Sequence, residues 1–284
     1  MSLDRIPPRP RPPGRWGDLP RRVASAAILV PLAVFCLFAG GWPWALLVAV
    51  ATLGMAVEWI ALCERQWFSL AGLALIFSAT AVWVLAVGST AWHGPAGAAL
   101  AVALLGGPAI WRIGHGGKRA VELAAGLPYI GCTTVALIWL RTLPESGLAN
   151  VLLLLLVVWS SDIGAYLVGR AIGGRKLAPA ISPGKTRSGA VGGLLASCLV
   201  GVGAAVWLGG GIGGFVALAA ALGVVVQAGD LVESWIKRRF GVKDSGWLIP
   251  GHGGLFDRLD GLLTAAPAAA ALAFALGRGV VLSP

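Results

Sequence analysis

Long, continuous apolar runs restrict this chain to a small set of folds. Nine runs of roughly 17 to 25 residues follow one another, and each is long enough for an α-helix to cross a bilayer. They lie near 22–40, 43–62, 67–88, 96–113, 121–141, 148–169, 188–208, 212–233 and 261–281. The strands of an outer-membrane barrel would be shorter and would alternate in polarity. The sequence therefore predicts an all-α polytopic membrane protein with nine transmembrane helices.

The basic residues predict which way the chain enters the membrane. If the N-terminus is cytoplasmic, 20 of the 22 lysines and arginines fall on the cytoplasmic side, and only Arg141 and Arg278 fall outside. This is the asymmetry of the positive-inside rule. Because topology explains most of the net charge of +10, we do not expect nucleic acid as a partner. Residues 1–20 are rich in proline and arginine and are predicted to be a disordered cytoplasmic tail.

One dense polar segment, residues 227–260, stands out because charged residues make up only 12% of the chain. Asp230, Ser234 and Lys237 recur at spacings of three and four, so on a helix they share one face with Glu233. A glycine-rich turn containing His252 then precedes Asp257 and Asp260. If a helix begins near Leu255, these two aspartates point the same way.

The residue types in this segment predict phosphoryl or nucleotidyl transfer. Carboxylates from two helices can hold a hard divalent cation through oxygen, and we take Asp230, Asp257 and Asp260 as the candidate metal ligands. Basic side chains nearby can neutralise phosphate oxygens. They are Lys237, Arg238, Lys243, His252 and Arg258. The alternative is a solvated charged loop between two helices.

A second polar region joins the sixth and seventh predicted spans. Asp162 lies inside an apolar run, where a carboxylate is costly and is predicted to face a polar site. The following segment, Ser182-Pro183-Gly184-Lys185-Thr186, lacks the spacing of a Walker A loop. Its glycine, lysine and hydroxyl groups can still cradle a phosphate.

Both regions resemble the phosphatidate cytidylyltransferase (CDP-diglyceride synthase) family. The matching positions are Ser234, Lys237-Arg238, Lys243-Asp244, His252-Gly253-Gly254, Asp257-Arg258 and Asp260, with Asp162, Gly164-Ala165-Tyr166 and Ser182 to Thr186 upstream. The resemblance is strongest from about residue 127 to 261. Two departures are Ser188, where the family usually has glutamate, and Ile163, where it has a small polar residue.

The resemblance implies an inner-membrane enzyme that makes CDP-diacylglycerol and pyrophosphate from CTP and phosphatidic acid. It implies a Mg²⁺ requirement, with one or two cations. Catalytic roles are expected for Asp230, Asp257, Asp260, Lys237 and His252. Substrate contacts are expected from Asp162, Ser182, Lys185, Thr186, Ser234, Arg238, Lys243, Gly253, Gly254 and Arg258. The chain then divides into N-terminal transmembrane helices, 21–126, and a catalytic transmembrane region, 127–284, and a homodimer is the candidate assembly.

Two other functions stay open at this point. One is a CTP-dependent membrane enzyme that acts on another lipid phosphate or on a polyprenol. The other is an ion-coupled transporter in which Glu58, Asp162 and Asp230 form a proton or cation path. A transporter would not need the clustered basic and acidic motifs of residues 227–260.

Overall fold

The computed structural model describes residues 19–64, 69–88, 95–246, 248–249, 253–276 and 279, with the side chains of 19–26 and 95–96 left aside. Helices make up most of this part of the chain. They are α1 (Leu19–Ala39), α2 (Gly41–Glu64), α3 (Leu70–Val87), α4 (Pro95–Leu105), α5 (Gly107–Ile113), α6 (Gly117–Thr142), α7 (Gly147–Ile172), α8 (Arg187–Leu208), α9 (Ile212–Arg239) and α10 (Asp260–Ala275). Strands β1 (Lys176–Ala178) and β2 (Ser182–Thr186) form one antiparallel hairpin between α7 and α8.

Six of the described helices are long and apolar enough to cross a membrane: α2, α3, α6, α7, α8 and α9. Large apolar side chains also cover their outer faces, as at Phe77, which is 73% exposed, and Leu199, which is 72% exposed. Such surface is costly in water and favourable in lipid. The prediction of an α-helical, multi-pass membrane protein is confirmed.

The fourth predicted span differs from a single helix. Residues 96–113 form α4 and the seven-residue α5, which meet at Gly106. Pro108 lies in the first turn of α5, where a backbone N–H has no partner within the helix and its absence costs nothing. In an uninterrupted helix running on from α4, the same proline would remove a backbone hydrogen bond. The proline and the adjacent glycines therefore divide this apolar run.

The chain forms two compact units. The first comprises residues 1–138 and 244–258, and the second comprises residues 139–243 and 259–284. In the first unit, α3 packs against α2, α4 and α5. A buried hydrogen bond of 2.7 Å joins the hydroxyls of Thr52 on α2 and Thr134 on α6.

The second unit is a bundle of α7, α8, α9 and α10 with the hairpin at one end. Glycines allow α7 and α8 to approach closely: a Cβ at Gly164 would lie 2.7 Å from the Gly192 carbonyl oxygen. Gln227 on α9 donates a 3.0 Å hydrogen bond to the Ala190 carbonyl on α8. Close packing of small residues is the usual way in which helices associate in lipid.

Thr186 connects the hairpin to α8. Its Oγ1 accepts a 3.1 Å hydrogen bond from the Gly189 N–H and caps the helix N-terminus. Its hydroxyl also hydrogen-bonds to Ser188 at 3.0 Å, and Ser188 donates to the carbonyl of Gly173 at the end of α7. The hairpin that carries Lys185 is thus tied to both neighbouring helices.

The predicted helix start near Leu255 is wrong. Residues Phe256–Arg258 form a single 3-10 turn, and α10 begins at Asp260. The N–H groups of Leu255 and Phe256 donate to the Glu58 carboxylate, and the N–H of Gly254 donates to Asp257. These side-chain acceptors hold the backbone in a turn, so Asp257 and Asp260 do not share the first turn of one helix.

Candidate active site

Three carboxylates of the second unit come together where α9 and α10 meet. Asp230 and Glu233 lie one turn apart on α9, and Asp260 is the first residue of α10. One carboxylate oxygen from each lies within 4.8 Å of the others. Three hard oxygen ligands at this separation are a donor set suited to a divalent cation such as Mg²⁺.

Two lysines balance this acidic cluster, which we define as Asp230, Glu233 and Asp260. Lys185 of β2 forms an ion pair with Asp230. Lys237, one turn after Glu233 on α9, lies 2.7 Å from its carboxylate. Because Glu233 is fully buried, its charge would be expensive without such a partner.

Asp260 is a half-buried acid of the cluster. It begins α10, outside the six long spanning helices, and its Oδ1 accepts a 2.7 Å hydrogen bond from the Gly261 N–H. Its charge is repelled by the carboxylates of Asp230 and Asp162 and attracted by the ammonium group of Lys185. Crowded, partly desolvated carboxylates resist ionisation, and a bound cation would relieve that cost.

Arg238, another predicted binding residue of the second unit, makes a contact within the fold. Arg238 donates from Nε to the Ile181 carbonyl at 3.2 Å, which ties α9 to the hairpin. Ser182 and Ser234 are half-buried, whereas Asp162 and Lys243 are exposed. Their contacts with substrate stay predictions.

The first unit holds a second group of predicted residues, on the segment 244–258. Asp257 accepts hydrogen bonds from the Ser245 N–H, at 2.9 and 3.1 Å, and from the Gly254 N–H at 3.0 Å. Gly253 has φ +86°, a conformation that favours glycine, and Arg258 is exposed. His252 lies outside the described residues.

The acidic cluster therefore contains two of the three predicted metal ligands. Asp230 and Asp260 lie together, whereas Asp257 belongs to the first unit, and its metal role stays a prediction. Glu233 takes the third place in the cluster. The signal for Glu233 was present in the sequence, because a residue three positions after Asp230 shares its helical face.

These features define a polytopic α-helical membrane protein with an acidic, lysine-balanced site that suits nucleotide phosphates. The chain belongs to the cytidylyltransferase family, whose profile matches residues 20–276. The sequence is 40% identical to a phosphatidate cytidylyltransferase of Brucella suis over 254 residues, covering 88% of this chain and 91% of the relative. It is 38% identical to a phosphatidate cytidylyltransferase of Pseudomonas aeruginosa, covering 92% and 99% of the two chains. A relative of the same description from Haemophilus influenzae is 46% identical over 133 residues, or 44% of this chain and 45% of its own.

The comparisons establish this chain as a nucleotidyltransferase, as its motifs predicted. The transporter alternative has no support from them.

Proposed function

We propose that this protein transfers CMP from CTP to phosphatidic acid and so produces CDP-diacylglycerol and pyrophosphate. The observation that carries the proposal is the acidic cluster with its two paired lysines, within a family of cytidylyltransferases. The relatives named above are phosphatidate cytidylyltransferases that align over most of this chain. Their substrate is the one that we assign here.

The reaction needs positioning and charge neutralisation more than covalent chemistry. An oxygen of the lipid phosphate attacks the α-phosphorus of CTP, and the bond from that phosphorus to the oxygen bridging to the β-phosphate breaks. Pyrophosphate leaves with the electron pair. No side-chain nucleophile is required, because phosphoryl-type transfers are accelerated by alignment and electrostatic stabilisation.

The acidic cluster fits Mg²⁺ by the chemistry of its donors. Asp230, Glu233 and Asp260 would hold the cation, and a bound Mg²⁺ would neutralise charge on the nucleotide phosphates. Asp257 stays a candidate ligand by its place in the family signature, and a second cation is part of the same prediction. Lys185 and Lys237 lie next to the carboxylates and can turn from them toward phosphate oxygens, which are stronger anionic partners.

The membrane placement extends the same proposal. We take the protein to lie in the inner (cytoplasmic) membrane, with nine spans, its N-terminus in the cytoplasm and its site facing the cytoplasm. Among the described residues, the six long apolar helices and three shorter apolar segments make nine; the shorter ones are Ala27–Ala39, Gly97–Ile113 (α4 together with α5) and Asp260–Ala275. The basic residues support the orientation. Catalysis is assigned to residues 127–284, and a homodimer stays a prediction.

The test is transfer of radiolabelled CMP from CTP to phosphatidic acid by detergent-purified protein, with and without Mg²⁺. We expect Mg²⁺-dependent CDP-diacylglycerol in the parent and a loss of about 100-fold or more in Asp230→Asn, by analogy with other lost electrostatic stabilisers. Glu145→Gln removes an exposed carboxylate from the α6–α7 loop and serves as the matched control.

Three outcomes would correct the proposal. No transfer by folded parent protein with phosphatidic acid, but transfer with another lipid phosphate or a polyprenol, would change the substrate. Full activity of Asp230→Asn would remove the acidic cluster from catalysis. Loss of activity in Asp257→Asn with unchanged Mg²⁺ dependence would assign that residue to the fold of segment 244–258 rather than to the metal.

A further inference from the structure

We propose that Glu58 is a positioning residue of this enzyme: its buried carboxylate fixes segment 244–258 at Ser245 and at Leu255 and Phe256, next to Asp257. Glu58 lies on α2, six residues before the helix ends and so about 9 Å from that end. It is 3% exposed. The inference rests on the proposed function for its kinetic consequence, whereas its structural consequence stands independently.

Three donors from the segment converge on this carboxylate. The N–H of Leu255 donates to Oε1 at 2.8 Å, and the N–H of Phe256 donates to Oε2 at 2.8 Å. The Ser245 hydroxyl donates to Oε2 at 3.2 Å. Hydrogen bonds to an ionised group are among the stronger ones in proteins, and burial strengthens them further.

The segment is shaped to fit around Glu58. A Cβ at Gly246 would overlap Glu58 Oε1, and one at Gly254 would lie 2.7 Å from Oε2. A larger residue at either place would push the backbone away from the carboxylate. The two glycines therefore allow the backbone to approach the acid on both sides.

Aromatic packing holds the same segment from the next position of α2. The ring of Phe256 is fully buried and lies 5.5 Å from the Trp59 ring and 5.7 Å from the Tyr129 ring, centroid to centroid. Trp59 Nε1 in turn donates to the carbonyls of Glu122 and Leu123 at 3.1 and 3.2 Å. Glu58 thus binds the backbone of Phe256 while its neighbour Trp59 packs against the side chain.

Glu58 and Asp257 complete one network with Ser245 at its centre. The hydroxyl of Ser245 donates to Glu58, and its N–H donates to Asp257. Asp257 also accepts the Gly254 N–H. The two acids therefore join Ser245, near the beginning of the segment, to residues 254–256 near its end. Removing Glu58 leaves the Leu255 and Phe256 N–H groups without their acceptor and frees the turn that orients Asp257.

The experiment combines hydrogen–deuterium exchange with steady-state kinetics on the purified full-length protein. Glu58→Leu removes both acceptor oxygens, and Glu58→Gln keeps one. Thr52→Val is the matched control, since it removes a buried polar contact of α2 that is made to α6 instead of to the segment. Exchange is followed at 244–258 and, for comparison, in α8.

We expect the Leu255 and Phe256 amides to exchange about tenfold faster or more in Glu58→Leu, since each amide loses a hydrogen bond to a charged group. Glu58→Gln should be intermediate, and α8 should exchange as in the parent. We expect kcat to fall by about 10- to 100-fold in Glu58→Leu with little change in KM for CTP, the size of effect found for residues that orient catalytic groups. Thr52→Val should leave both readouts near the parent values.

Two results would overturn the inference: unchanged exchange at 255–256 in Glu58→Leu, or equally faster exchange in α8, which would indicate general destabilisation. If Glu58→Leu does not fold, Gly246→Ala decides the matter, because it displaces the segment from the carboxylate while α2 keeps its sequence. Faster exchange there supports the inference, and parent-like exchange refutes it. If the parent shows no CMP transfer, the proposed function fails while the exchange data still test Glu58.

Discussion

Replacing Asp260 with asparagine should have opposite effects on the cation-free protein and on the cation-loaded protein. The substitution removes one negative charge from the acidic cluster but keeps a side-chain oxygen that can accept the Gly261 N–H. The start of α10 is therefore preserved. The change acts almost entirely on electrostatics.

The separations in the cluster set the size of the effect. Two like charges 4.8 Å apart repel by about 3 kcal/mol at an effective dielectric constant of about 20. Asp260 faces Asp230 and Glu233 in this way, whereas Lys185 offsets part of the repulsion. After that offset we expect Asp260→Asn to stabilise the cation-free protein by about 1–2 kcal/mol. This corresponds to a rise of about 2–8 °C in unfolding temperature for a domain of about 150–250 residues.

The same substitution should remove the response to Mg²⁺. A cation at about 100 times its Kd stabilises the folded state by about 2.7 kcal/mol, and the loss of one of three ligands should abolish most of that gain. The assay is thermal unfolding of detergent-purified protein in a chelator and in millimolar Mg²⁺, with Glu145→Gln as the charge-removal control. A lower unfolding temperature in chelator together with an intact Mg²⁺ shift would refute the assignment of Asp260 to a cation site.

Three further substitutions test the helix packing and the hairpin. Gly229→Ala would place a Cβ over the Thr264 hydroxyl, so we expect a loss of about 1–3 kcal/mol in the free energy of unfolding. Gly213→Ala on the same helix meets no atom within 4 Å and should be neutral or stabilising by up to about 1 kcal/mol. Ser188→Ala removes the hydrogen bond to the Gly173 carbonyl and should cost about 1 kcal/mol, with transfer activity within about threefold of the parent.

Thermal unfolding measures the stability of Gly229→Ala, Gly213→Ala and Ser188→Ala relative to the parent. The CMP-transfer assay measures the activity of Ser188→Ala. Equal unfolding temperatures for the two glycine variants would contradict the close approach of α9 and α10 at Thr264. A loss of activity in Ser188→Ala far beyond its loss of stability would place the hydroxyl in substrate binding instead.

The helices could be predicted because the signal for them is local. A run of about 20 apolar residues specifies a membrane helix without knowledge of its neighbours, and the long helices therefore fall close to the predicted ranges. The polar face of α9 could be predicted for the same reason, since Asp230 and Glu233 are one turn apart in sequence. Both inferences need only the period of a helix.

The partners of the acids could not be predicted, because they depend on contacts between distant parts of the chain. Nothing near Glu58 in sequence indicates that its carboxylate accepts hydrogen bonds from the N–H groups of Leu255 and Phe256, which are 197 and 198 residues away. The same contacts explain why no helix begins near Leu255. Spacing alone could not show that Asp257 would bind backbone amides of the segment while Asp260 would start α10.

The distance in sequence between Glu58 and its donors has a consequence for biosynthesis. At about 5–20 residues per second, a ribosome needs roughly 10–40 s to extend the chain from Glu58 to Phe256. Throughout that interval α2 carries an acid within an apolar segment, and the amides that will bind it have not yet been made. Assembly of segment 244–258 is therefore a late event of synthesis, and a chain interrupted before residue 255 contains all six of the described long apolar helices but lacks the Leu255 and Phe256 amides that complete this network.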